Sequence, residues 1–200
     1  MRDDDDEQSW CSDTSYTVKN KPNKENINFI NTNARSLCPK IDSLVDYFEE
    51  LQLAFACISE TWFADGEGFE EDLQDLSLGA GITLLCRNRS VNGRSTGHGG
   101  VALAYRNTLA NFRKINIPNP DNYEILPVIG NLRGHSRKIV IINCYIPPNY
   151  VVKRGKECLD YVSDVVVEVK RRYTDPYLVI MGDFNQWDLG GGFGRLPLIV

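Results

Sequence analysis

A chain of 200 residues, 42% hydrophobic and 24% charged, has room for one domain with a real core and the make-up of an ordinary globular protein. No apolar run approaches the ~20 residues that a membrane-spanning helix needs. The net charge of −5 argues on average against a nucleic-acid partner, but that charge is unevenly spread along the chain.

Residues 1–24 open on a carboxylate block, Asp3 to Glu7, and stay polar and aperiodic, so they are expected to form a disordered acidic leader. With neither a basic start nor an apolar stretch, they do not make a secretory signal. Order is expected from Ile27, in a domain over 25–188. The run INFIN reads as a strand and is followed by a polar loop, Thr32 to Ser36. Pro39 opens a helical pattern with Ile41, Leu44, Val45, Phe48 and Leu51 on one face. Ala54 to Ser59 (AFACIS) is an apolar strand that ends at Glu60. Gly81 to Arg89 and Gly100 to Tyr105 read as two strands joined by a Gly/Ser/Asn-rich turn, and Tyr123 to Leu132 and Lys138 to Ile146 as another pair turning near Gly134. Beyond Pro147-Pro148 a second helix should bury Cys158, Val162, Val165, Val166 and Val169. Tyr177 to Met181 (YLVIM) is a last buried strand. Residues 189–200 form an atypical Gly-rich tail. The mixture of βα units and hairpins predicts an α/β sandwich with helices outside its sheets.

Cysteines stand at Cys11, Cys38, Cys57, Cys86, Cys144 and Cys158 with no CxxC pair, several of them inside apolar runs. They read as small buried hydrophobes rather than as disulfides or metal ligands, which fits a reducing, intracellular setting, nucleus or cytoplasm. A second acidic cluster runs from Asp65 to Asp75. Between Leu76 and Pro120 there is no acid, while Arg87, Arg89, Arg94, Arg106, Arg113 and Lys114 all occur there. Ile125 to Lys156 is likewise acid-free and carries Arg133, Arg137, Lys138, Lys153, Arg154 and Lys156. Such a stretch suits a surface that meets phosphates, with Arg87, Arg89 and Arg94 as candidate substrate contacts. The alternative is a solvated face whose counter-charges lie elsewhere in the fold.

The chemistry lies in the polar residues that end the strands. Asn33 follows the first, Glu60 the second, Tyr145 ends the long strand before Pro147, and Asp183 and Asn185 follow the last. Strand carboxyl ends are where α/β sheets place a ligand crevice. One Asp or Asn after a strand is usually a turn residue; four strands ending alike are harder to explain that way.

These segments carry a resemblance. NTNARSL at Asn31 to Leu37, SETW at Ser59 to Trp62, GGVALAY at Gly99 to Tyr105, YIPPN at Tyr145 to Asn149 and MGDFN at Met181 to Asn185 resemble the endonuclease/exonuclease/phosphatase superfamily. Within it, they look most like the apurinic-site-like endonucleases of non-LTR retrotransposons. The resemblance implies a four-layer α/β sandwich, two mixed sheets flanked by helices and incomplete at the C-terminus, that hydrolyses phosphoesters with Mg²⁺ or with Mn²⁺ in its place. It implies DNA as the partner and no small organic cofactor. Glu60 would be the metal ligand, with Asn33 beside it giving an amide oxygen or a hydrogen bond. Asp183 would activate water, and Asn185 and Tyr145 would donate to phosphate oxygens. For Tyr145 the alternative is a half-buried strand aromatic; Trp62 and Trp187 read as loop anchors, the alternative being that they pack on the site or on DNA.

The family completes its site with a further Asp and a Ser-Asp-His turn, which this sequence lacks; His98 and His135 lie upstream and read as surface turn residues. The 200-residue chain is therefore expected to be weakly active or inactive. The rival readings are a phosphatase or lipid phosphodiesterase on the same fold, or a non-catalytic remnant that binds nucleic acid. The oligomeric state is not legible in the sequence.

Overall fold

The computed structural model describes residues 11–18, 27–63, 76–91, 94–95, 98–150 and 152–185. The carboxylate block Asp3 to Glu7, the acidic cluster Asp65 to Asp75, Trp187 and the Gly-rich segment 189–200 lie outside the described residues. In chain order the elements are β1 Cys11–Val18, β2 Ile27–Asn33, a single 3-10 turn Cys38–Lys40, α1 Ile41–Glu50, β3 Leu53–Ser59, β4 Leu76–Ser77, β5 Ile82–Arg87, β6 Ser90–Val91, β7 Arg94–Ser95, β8 Val101–Arg106, β9 Ala110–Lys114, β10 Ile125–Leu132, β11 Ile139–Tyr145, α2 Val152–Arg172 and β12 Tyr177–Asp183.

The strands build a six-stranded sheet in the order β1-β2-β3-β8-β5-β4, a four-stranded sheet in the order β12-β11-β10-β9, and a small β6-β7 ribbon. Each large sheet is mixed. β2 and β3 run parallel, as do β11 and β12, while the remaining neighbours are antiparallel. A two-residue hairpin cannot join parallel strands, so each parallel pair is bridged by a helix: α1 between β2 and β3, α2 between β11 and β12.

Three apolar clusters define the layers. Phe29, Phe55, Leu103, Tyr105, Phe112, Val128, Ile141 and Met181 fill the space between the two sheets. On the outer face of the larger sheet, Ile30, Ala56, Ile58, Leu84 and Ala104 pack against Leu44 and Phe48 of α1. On the outer face of the smaller one, Ile125, Ile129, Val140, Ile142 and Ile180 pack against Cys158, Val162, Val165, Val166 and Val169 of α2. Helix, sheet, sheet, helix is the four-layer α/β sandwich that the resemblance implies. Strands such as β3 and β11 are buried along their whole length because both of their faces are covered, which is why they read as unbroken apolar runs.

The structure departs from the sequence reading at four places. Cys11–Val18, inside the segment expected to be disordered, forms β1 and pairs antiparallel with β2. Its Thr14, Tyr16 and Val18 alternate as strand formers do, a signal outweighed by the acids before it. ANFRK, too short and polar to stand out, forms β9 at the edge of the smaller sheet, with Ala110 and Phe112 turned inward. The Gly/Ser/Asn-rich turn between β5 and β8 contains the β6-β7 ribbon. Leu51, expected on the buried stripe of α1, is 41% exposed because the helix ends at Glu50 and Leu51 caps it.

Candidate active site

The ends of β2 and β3 remain joined after the strands stop. Ala34 N–H donates to Ser59 O, Ser36 N–H to Glu60 O and Leu37 N–H to Thr61 O, at 2.9, 3.0 and 2.9 Å. This holds Asn33 beside Glu60. In the other sheet Tyr145 and Asp183 are direct neighbours in the parallel β11-β12 register, and Ile146 N–H donates to Asp183 O at 2.9 Å. Gly182 makes the register possible. Its φ is 138°, and a β-carbon there would overlap the backbone of Cys144 in β11, so only glycine lets β12 approach this closely.

Side chains from both sheets meet in one hydrogen-bonded cluster. Asn33 Nδ2 donates to Glu60 Oε1 and to Asp183 Oδ2, at 2.9 Å each, and the Tyr145 hydroxyl donates to the same Glu60 Oε1 at 2.8 Å. Asn33 Oδ1 is turned away and accepts from the Arg35 N–H at 3.1 Å. Asp183 Oδ1 accepts from the Asn185 N–H at 3.0 Å, and Asn185 Nδ2 donates to Ile146 O at 2.8 Å. All four strand ends singled out in the sequence are therefore brought together. Glu60 and Asn185 hold left-handed backbone angles, φ 54° and 49°, and so does Trp62 at 55°. Non-glycine residues adopt this region at a cost of about 1–2 kcal/mol each, and such strain gathers at functional sites.

The cluster can hold a hard cation. Both hydrogen bonds to Glu60 fall on Oε1, so among the described residues Oε2 is the carboxylate oxygen left for a further ligand. Among the described residues no three His, Cys, Asp or Glu side chains gather as a metal cage. Ions that keep most of their waters need only one or two carboxylates. Tyr145 is buried at 6% exposure, and burial pushes its phenol well above the usual range, with the hydrogen bond to Glu60 adding to the effect. It stays a neutral donor.

Beneath the cluster lies a feature absent from the sequence reading. Glu124, 2% exposed, accepts from Arg89 Nε at 2.7 Å and from the Gly100 N–H. Burial raises its carboxyl above the usual range, and the Arg89 charge opposes that. No local pattern marks this acid, because its partners are 35 and 24 positions away. Arg89 thus has an internal partner, Arg87 Nε donates to Tyr123 O at 3.1 Å, and Arg94 lies on β7. His98 is exposed and meets Trp62 edge-on, ring centroids 5.1 Å apart, whereas His135 sits in the turn after β10 with its N–H on Leu132 O. Cys38, Cys57, Cys86, Cys144 and Cys158 are free thiols, Cys57, Cys144 and Cys158 fully buried.

Comparison with known proteins follows the same lines. No curated protein matches the sequence. Among solved structures, a humanized D. rerio TDP2 superposes with a TM-score of 0.52 at 13% identity, over 81% of this chain and 63% of that one. The 3'-5' exonuclease NExo from Neisseria meningitidis gives 0.51 at 18% identity, over 78% and 57%. The endonuclease domain of TRAS1, a telomere-specific non-LTR retrotransposon, gives 0.48 at 15% identity, over 78% and 58%. The chain thus spans less than two thirds of the length of these structures, and at 13% and 18% identity the TDP2 and NExo superpositions show a shared fold alone. The model of the Endonuclease/Exonuclease/phosphatase family matches residues 26–198, reaching into the Gly-rich segment that the sequence reading set apart. With most of its length matched, the chain belongs to the Endonuclease/Exonuclease/phosphatase family.

Proposed function

We propose that this chain carries the catalytic centre of a Mg²⁺-dependent phosphodiester hydrolase acting on DNA, the endonuclease of a retrotransposon. The family consists of hydrolytic nucleases and phosphatases. The observation that carries the finer reading is the convergence of Asn33, Glu60, Tyr145 and Asp183 from four strands within 2.8–2.9 Å contacts. The acid-free segments and the retrotransposon-like NTNARSL, SETW and MGDFN support DNA as substrate.

Glu60 Oε2 would hold Mg²⁺, while Tyr145 and Asn33 fix the opposite oxygen. When bound, the ion would polarise a phosphoryl oxygen and stabilise charge on the leaving oxygen. Asp183 takes the proton of the attacking water, its plane set by Asn33 on one oxygen and the Asn185 N–H on the other. An amide nitrogen has two hydrogens, so Asn185 keeps one for a phosphate oxygen while the other rests on Ile146 O. Asn33 acts here as a donor, its oxygen being engaged by Arg35.

Titration with Mn²⁺ as a paramagnetic reporter tests the metal role. Glu60→Gln should abolish the specific isotherm and Glu67→Gln should leave it intact; equal binding by wild type and Glu60→Gln would refute the assignment. For the reaction, plasmid nicking with Mg²⁺ is expected from the chain extended at its C-terminus to the length of the solved domains. Asp183→Ala should lower that rate by about 10²–10⁴, the range for loss of a general base. Nicking that survives Asp183→Ala would remove Asp183 from the chemistry, and phosphomonoester turnover without DNA cleavage would favour a phosphatase.

A further inference from the structure

Glu124 closes a ring of hydrogen bonds through the centre of the site. Its carboxylate accepts from the Gly100 N–H; Gly100 O accepts from the Thr61 N–H at 3.4 Å; and Gly99 O accepts from the Trp62 N–H at 2.9 Å. Thr61 follows Glu60, whose Oε1 accepts from the Tyr145 hydroxyl, and the Tyr145 N–H donates to Glu124 O at 2.8 Å. The ring crosses both sheets, since Gly100 leads into β8 while Glu124 leads into β10.

The Gly99-Gly100 turn and Glu124 are closely packed. Gly99 and Gly100 have φ of 73° and 86°; a β-carbon on Gly99 would overlap Glu124 Oε2, and one on Gly100 would lie 2.5 Å from Thr61 Oγ1. Arg89 anchors the other carboxylate oxygen at 2.7 Å, with Glu124 buried and Arg89 only 26% exposed. A buried acid with a charge partner and a backbone donor keeps its hydrogen bonds in one geometry, because each lost bond strands a desolvated group.

We propose that Glu124 is a positioning residue: its carboxylate locks the Gly99-Gly100 turn under Thr61 while its carbonyl holds Tyr145, so that Glu60 is pressed onto the Tyr145 hydroxyl. Glu124 touches neither ion nor substrate; it acts through Glu60 and Tyr145. The functional consequence rests on the reading of Glu60 as a metal ligand, whereas the geometric claim stands apart from it.

The test uses the full chain with 3-fluorotyrosine placed at Tyr145, whose ¹⁹F resonance reports the hydrogen bond to Glu60. Glu60→Gln defines the signal when that bond is altered. Glu124→Gln is expected to move the resonance the same way in a protein that still unfolds cooperatively. Phe48→Leu, in the α1 layer and matched to Glu124→Gln in loss of Tm, should leave it in place. An unmoved resonance in folded Glu124→Gln, or an equal move in Phe48→Leu, would overturn the proposal. Should Glu124→Gln not fold, Arg89→Lys, which keeps the charge and loses the Nε donor, is judged by the same criteria. In parallel, Mn²⁺ affinity should fall about 10- to 100-fold in Glu124→Gln, the usual effect of removing a group that orients a ligand. If wild type and Glu60→Gln bind Mn²⁺ alike, the metal reading fails while the ¹⁹F comparison still decides the role of Glu124.

Discussion

Asn33 spends a single nitrogen on two carboxylates, Glu60 and Asp183, that would otherwise face each other with no donor between them. Asn33→Ala should therefore cost about 1–3 kcal/mol in urea unfolding, the penalty for stranding part-buried acceptors. Asn33→Asp should cost more than Asn33→Ala at pH 7, because it replaces the shared donor by a third carboxylate that repels the other two. A smaller cost for Asn33→Asp would show that the two acids do not sense position 33. Tyr145 gives a check at alkaline pH. Its phenol is raised in the folded protein above the ordinary value of 10.0, so the unfolded chain gives up this proton first. The stability due to the neutral phenol is complete below pH 10 and fades as pH climbs beyond it. Tyr145→Phe should make the loss of stability above pH 10 shallower than in wild type, as read by urea midpoints. The strand-end residues were legible in the sequence because a polar residue closing an apolar run is a local signal. Glu124 was not. It stands in DNYEILP like any turn acid, and only the fold brings Arg89 and Gly100 to it.

At the scale of elements, periodicity carried most of the reading. The valine stripe of α2 and the unbroken apolar runs of β3 and β11 are signals that only a covered face produces, and all of them are buried as expected, whereas the run YLVIM of β12 is buried only over Val179 to Met181, with Tyr177 exposed. Among the elements that sequence missed, β1, β4 and β9 lie at sheet edges, where short strands are held by pairing with a neighbour rather than by their own pattern. Val165→Ala in α2 should cost about 2–3 kcal/mol, a buried valine's transfer energy plus its cavity. The glycines sort themselves the same way. Gly182→Ala drives a methyl into the backbone of Cys144 and should cost about 3 kcal/mol or more. Gly134, at φ 78° with nothing within 4 Å, should lose only about 1 kcal/mol on the same change. Similar losses at the two positions would mean that β12 does not press on β11 as described.

Over the whole molecule, charge decides how the chain would meet a phosphate backbone. The net charge of −5 repels DNA at long range, so any binding must come from local arginines and lysines. The fold divides these cations into two groups that sequence could not separate. Arg89 is spent on Glu124, Arg106 on Glu49, and Arg154 on Asp121, each inside an internal ion pair. Arg35 instead is exposed, two residues from Asn33, with its own N–H tied to the Asn33 amide. If DNA lies across the Glu60–Asp183 cluster, Arg35 neutralises a phosphate beside it. Each neutralised phosphate of a duplex adds about 0.9 to the slope of log affinity against log salt. Arg35→Ala should therefore reduce the slope by about 0.9 and leave stability almost untouched. Arg89→Ala should change the slope little and lower the unfolding midpoint, since it leaves Glu124 buried without its cation. Fluorescence anisotropy with a labelled duplex over a salt series, paired with urea unfolding of the same variants, measures both quantities. A lower slope from Arg89→Ala at unchanged stability would show that the cation beneath the site faces DNA rather than Glu124.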